Sequence, residues 1–191
     1  MSFFDIFLMG VGLAMDAFAV SVCKGLCMKR FSLSQAGVIA IFFGGFQALM
    51  PFIGFYLGRF FESYITAFDH WIAFLILAYI GGKMLYETLT SGEEEIVCPL
   101  DGRLNIKELV VLAIATSIDA LAVGITLSFY ANENIFADVS IIGVTTFVIA
   151  FAGVGIGYKF GTKFKKKAEI FGGVILVLIG LKILLEGLGV M

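Results

Sequence analysis

The sequence predicts an all-α integral membrane protein, six transmembrane helices arranged as two inverted-topology repeats of three helices each. Three observations carry this expectation. Apolar residues make up 60% of the chain and charged residues 15%, with mean hydropathy +1.04, whereas a soluble domain is about 45–50% apolar and about 25% charged. The apolar residues fall into six stretches, each near the ~20 residues that cross ~30 Å of hydrocarbon. The rare polar letters inside those stretches recur in the same order in both halves.

The stretches run Phe3–Cys23, Gln35–Leu57, Trp71–Leu89, Leu109–Tyr130, Val139–Tyr158 and Ala168–Leu188. Their length and unbroken apolarity predict helices, because a membrane barrel would show alternating segments of ~10 residues. The longest connection, Thr90–Lys107, holds Gly92, Glu93, Glu94, Glu95, Pro99 and Gly102. It divides the chain into a first repeat at 1–90, a cytoplasmic linker at 91–107 and a second repeat at 108–191. The first stretch has no basic residue before it and carries Asp16 within it, which argues against a cleaved signal peptide.

The repeat is visible residue by residue. Asp16-Ala17-Phe18-Ala19-Val20 matches Asp119-Ala120-Leu121-Ala122-Val123 at an offset of 103. Ile53-Gly54 with Gly58 matches Ile156-Gly157 with Gly161 at the same offset. Ile80-Gly81, Lys83 and Glu87 match Ile179-Gly180, Lys182 and Glu186 at an offset of 99. Three helices per unit is an odd number, so the second copy enters the membrane from the opposite side, as in many secondary transporters.

Charge placement predicts orientation. One side carries Lys24, Lys29, Arg30, Arg103, Lys107, Lys159, Lys163, Lys165, Lys166 and Lys167, and the other carries Arg59 alone. The basic loops are therefore expected in the cytoplasm and both termini outside. The net charge of −2 says little about partners. The sequence has no basic, aromatic-interleaved stretch for nucleic acid. Cys23, Cys27 and Cys98 are too few and too irregular for a disulfide framework and read as small apolar side chains in a reducing compartment.

Asp16 and Asp119 carry the chemistry. Each falls near the middle of its stretch, where a charge costs on the order of 2.5–3.5 kcal/mol on insertion scales. Two such residues at repeat-equivalent positions call for a compensating partner, and a bound cation pairs them both. Thr116 and Ser117 beside Asp119 add hydroxyl oxygens, a donor set that suits Mg²⁺, Ca²⁺ or Mn²⁺. Met15, next to Asp16, favours a softer ion and so Mn²⁺ over Mg²⁺. Lys83 with Glu87, and Lys182 with Glu186, are i,i+4 pairs that put opposite charges on one face. They are expected at opposite ends of the bundle, either as snorkelling end pairs or as gates. Gln47 is the amide inside the second stretch, a secondary pathway residue whose counterpart at the 103 offset is Ala150. Pro51 follows it and predicts a kink. His70, beside Asp69, reads as a solvated end residue.

The segments Gly12-Leu13-Ala14-Met15-Asp16-Ala17-Phe18-Ala19-Val20-Ser21 and Ala115-Thr116-Ser117-Ile118-Asp119-Ala120-Leu121-Ala122-Val123-Gly124 resemble those of the bacterial manganese efflux pump family, within the wider lysine-exporter superfamily. The resemblance extends over essentially the whole chain. It implies a multi-pass protein of the bacterial plasma (inner) membrane that exports Mn²⁺, with its motif acids at Asp16 and Asp119. No enzyme activity and no cofactor are expected, and the chain contains no Gly-rich nucleotide loop. Mn²⁺ is the expected substrate, H⁺ a candidate counter-ion, and a homodimer a candidate assembly. The alternative is an exporter of another divalent cation, or of an amino acid, on the same architecture.

Overall fold

A hydrocarbon environment requires every backbone polar group to be satisfied within the chain, which leaves helices as the natural solution for long apolar runs. The computed structural model describes residues 3–65, 69–90, 104–129 and 134–160, together with 170, 174, 175, 177–182, 184 and 185. All regular elements among the described residues are helices: α1 (Phe3–Leu26), α2 (Leu33–Ile65), α3 (Asp69–Thr90), α4 (Ile106–Ala115), α5 (Ile118–Phe129) and α6 (Ile135–Phe160). The described residues between 170 and 185 are also helical. Among the described residues, four segments are long and apolar enough to cross a membrane: Phe3–Leu26, Leu33–Phe60, Ile106–Phe129 and Ile135–Phe160. Ile41, Val111, Ile118, Val144 and Val148 on these segments are exposed, as lipid-facing side chains would be.

The expected fourth helix is interrupted. α4 ends at Ala115 and α5 begins at Ile118, with Thr116 and Ser117 between them. The cause is local. The Ser117 hydroxyl donates to the Ala113 carbonyl at 2.7 Å, and its N–H turns back to the Ile114 carbonyl at 3.1 Å. The Thr116 hydroxyl also donates to the Ala113 carbonyl, at 3.3 Å. Hydroxyl side chains that bond nearby carbonyls compete with the helix ladder. At the 103 offset, α1 has Leu13 and Ala14 instead and runs unbroken. At the other end of α4, the Asn105 side chain caps the helix by accepting from the Lys107 and Glu108 N–H groups at 3.1 and 3.4 Å.

α1 packs along α6, and α2 packs along α5 and α6. Glycines set the closest approaches. A Cβ on Gly25 would stand 2.1 Å from the Val154 carbonyl oxygen, and one on Gly157 2.0 Å from that of Val22. On the other pair, a Cβ on Gly124 would stand 2.2 Å from the Pro51 carbonyl oxygen, and one on Gly54 2.1 Å from that of Leu121. The helices therefore meet backbone to backbone, as small residues allow. The two contacts differ by one helical turn when compared at the 103 offset, at which Gly25 corresponds to Ser128 and Gly124 to Ser21. In each pair the close approach follows the glycine.

Two apolar clusters fill the interior. One gathers Ile6, Met9 and Leu13 of α1, Phe55 of α2, Ala120, Val123 and Leu127 of α5, and Val139 and Ile142 of α6. The other gathers Ala17 of α1, Ile39, Ala40 and Phe43 of α2, Leu109 and Ala113 of α4, and Ala150 and Val154 of α6. The clusters occupy opposite ends of the same four segments. Of the cysteines, Cys23 is half-buried and Cys27 is disulfide-bonded. The expectation of reduced cysteines therefore fails at Cys27, and Cys98 lies outside the described residues.

Replacing Gly157 or Gly54 with Leu is expected to destabilise the folded chain by about 1–3 kcal/mol or more, the usual cost of overpacking. A lowered unfolding midpoint in detergent would show it. At Gly45 a Cβ meets nothing within 4 Å, so Gly45→Ala should leave the midpoint unchanged or slightly raised.

Candidate functional site

Between the two apolar clusters lies a layer to which each of the four long segments contributes polar groups. Asp16 falls between Leu13 and Ala17 on α1. Gln47 falls between Phe43 and Phe55 on α2. Thr116, Ser117 and Asp119 fall between Ala113 of α4 and Ala120 of α5. Thr146 falls between Ile142 and Ala150 on α6. Gln47, Ser117 and Thr146 are fully buried, and Asp16, Thr116 and Asp119 are half-buried.

The break in the fourth segment shapes the surroundings of Asp119. It puts this carboxylate in the first turn of α5, where unsatisfied N–H groups and the helix dipole favour negative charge. Asp119 Oδ1 accepts the Ala120 N–H at 2.7 Å. The carboxylate also interacts electrostatically with the carboxylate of Asp16 and the ammonium of Lys83. The two aspartates that the sequence paired across the halves are thus within electrostatic reach of one another.

Gln47 bridges toward this region from α2. Its Nε2 donates to the Leu13 carbonyl at 3.3 Å, on the turn of α1 that carries Asp16. Its Oε1 is buried and has no hydrogen-bond partner among the described residues. The same holds for Thr146 Oγ1 and Ser21 Oγ. Among the described residues no group of three or more His, Cys, Asp or Glu side chains comes together.

The other predicted site residues sort clearly. Met15 is buried on α1. Lys83 stands on α3 with its side chain exposed, and the side chains of Glu87 and His70 lie outside what is described. Glu186 is likewise outside the described residues. Lys182 pairs with Asp5 of α1 at 2.5 Å, a cross-helix partner that i,i+4 spacing did not suggest. At the other end of α1, Lys24 pairs with Glu108 of α4. Asp5 and Glu108 are counterparts at the 103 offset. Both pairs are partly exposed, a setting in which ion pairs are worth only about 0–1 kcal/mol.

Comparison with known proteins identifies the family. The family model described as "Putative manganese efflux pump" matches residues 30–184. This chain belongs to that family. A relative from Desulfitobacterium hafniense, named as a putative manganese efflux pump, is 57% identical over 185 residues, covering 97% of this chain and 95% of its own length. Relatives with the same description from Clostridium perfringens and Acetivibrio thermocellus are 51% and 50% identical, covering 100% of this chain and 97% and 94% of their own lengths. No solved structure matches. The chain is thus a multi-pass membrane protein of a manganese efflux family, and the resemblance read from the duplicated Asp-Ala motifs holds.

Replacing Thr116-Ser117 with Leu-Ala, the pair found at the corresponding place in α1, is expected to restore a continuous helix through the break. NMR secondary shifts of the labelled protein would report it as helical values across 115–118. Shifts identical to wild type would show that the hydroxyls do not cause the break.

Proposed function

We propose that the protein is a secondary exporter of Mn²⁺ that binds the cation between Asp16 and Asp119 near the bilayer midplane. The single observation that carries this is the polar layer, with its two carboxylates from separate segments, closed by apolar side chains on both sides. The architecture we infer is six spans in two inverted repeats, with α3 and the stretch that holds the described helical residues between 170 and 185 as the two spans beyond the four long segments. The excess of basic residues in alternate loops supports a cytoplasmic linker and both termini outside.

The chemistry follows from the charges. A divalent cation neutralises two carboxylates, so the loaded site carries little net charge in a low-dielectric setting. Their oxygens, with neutral donors, replace part of its hydration shell. Alternating access opens the layer first to one side and then to the other. The ion pairs Lys24–Glu108 and Lys182–Asp5, at opposite ends of α1, strap the two mouths weakly enough to exchange. Protons returning on the carboxylates discharge the empty site and couple export to the proton gradient. The protein in this reading is a transporter and not an enzyme, and Mn²⁺ is its substrate.

The test is expression in a manganese-sensitive cell, with intracellular Mn, Zn, Fe and Mg measured for wild type, Asp16→Asn and Asp119→Asn. Wild type should lower Mn selectively, and either variant, at equal abundance, should leave it high. An unchanged Mn content with wild type would refute the assignment, and a fall in another metal alone would redirect it. In proteoliposomes, Mn²⁺ flux should respond to an imposed pH gradient at clamped voltage. Flux that follows voltage alone removes the proton coupling.

A further inference from the structure

Two carboxylates do not complete the shell of a dehydrated divalent cation, and no third carboxylate, imidazole or thiolate joins them among the described residues. The layer nevertheless holds two buried oxygens without hydrogen-bond partners among the described residues, Gln47 Oε1 and Thr146 Oγ1. Both side chains are fully buried. A buried polar atom left unpaired costs about 1–3 kcal/mol, and each such atom calls for an explanation. We propose that Gln47 and Thr146 are ligands of the transported cation, completing with neutral oxygens the shell begun by Asp16 and Asp119. This deepens the proposed function and rests on its reading of the two aspartates.

Placement supports Gln47 first. Its amide is oriented by the bond from Nε2 to the Leu13 carbonyl, which commits the donor end to α1 and leaves the acceptor end free. The same helix touches the other aspartate-bearing segment a turn further on, where Gly124 meets Pro51. Gln47 therefore sits on the helix that contacts both α1 and α5. Pro51 has no N–H to offer the Gln47 main-chain carbonyl four residues earlier, so this residue brings a second oxygen lacking its usual helical donor. Thr146 lies one turn from Ile142 and one from Ala150, and those two residues face the clusters on either side of the layer. Residues at that spacing share a helix face, which turns Thr146 toward the same interior. A threonine in a helix ordinarily bonds a carbonyl one turn back, and this one does not.

The charge balance explains why the added ligands are neutral. Two carboxylates cancel a divalent ion, and a third acid would leave net charge in a setting that penalises it. An amide and a hydroxyl supply oxygens without that charge. They also select for ions that accept carbonyl and hydroxyl oxygen over ions that demand thiolate.

The experiment uses the full chain in lipid nanodiscs, with bound and free Mn²⁺ separated by electron paramagnetic resonance. Gln47→Met and Thr146→Val should each weaken Mn²⁺ binding by about tenfold or more, the range that even outer-shell partners of a metal reach. Thr146→Ser, which keeps the hydroxyl, should bind as wild type does. Gln47→Glu, which keeps a ligating oxygen at the cost of added charge, should retain more Mn²⁺ binding than Gln47→Met. If Gln47→Met does not fold, the Val and Ser variants at Thr146 together with Gln47→Glu carry the comparison. Wild-type affinity in Gln47→Met and Thr146→Val, alongside lost binding in Asp16→Asn and Asp119→Asn, would remove these two ligands and leave the proposed function standing. No Mn²⁺ binding by wild type would overturn both.

Discussion

Two carboxylates set between two apolar clusters of a helical bundle are the constraint on which the rest of the structure turns. Each is costly alone, and the pair repels. The fold meets this with partial compensation. Asp119 takes the N-terminus of α5 and the Ala120 N–H, and the Lys83 ammonium acts on it. These contacts act on Asp119 alone, and in the proposed function a divalent cation neutralises the two carboxylates together.

Backbone contact through glycine holds the helices around the polar layer. α1 with α6 and α2 with α5 touch at Gly25, Gly157, Gly54 and Gly124. These contacts fix the helix separation closely. Because Gly25 and Gly124 are one turn out of correspondence at the 103 offset, the two helix pairs do not have the same register. The asymmetry places Asp16 and Asp119 at unlike heights along their partner helices.

Legibility in the sequence depended on the range of the interaction. The long segments and the aspartate motifs were evident because hydropathy and rare letters are local signals. α1 begins at Phe3 and α6 ends at Phe160, within a few residues of the apolar limits. The break before Asp119 was missed, although its signal was present. Thr116-Ser117 replaces Leu13-Ala14 of the other half, and paired hydroxyls unwind helices. Those hydroxyls had been read only as cation ligands. Thr146 was missed because one hydroxyl in an apolar helix is unremarkable until burial shows that it has no partner. The Lys182–Asp5 pair was illegible because its members are far apart in sequence, and i,i+4 spacing offered a nearer partner in Glu186.

The central claim is that one cation is shared by carboxylates from two different segments. Equilibrium dialysis of purified protein against Mn²⁺, with wild type and the single aspartate-to-asparagine variants, tests it most directly. The account predicts one Mn²⁺ per chain in wild type, and loss of that ion by Asp16→Asn or Asp119→Asn alone. Two ions per chain, with each substitution removing only one, would contradict it.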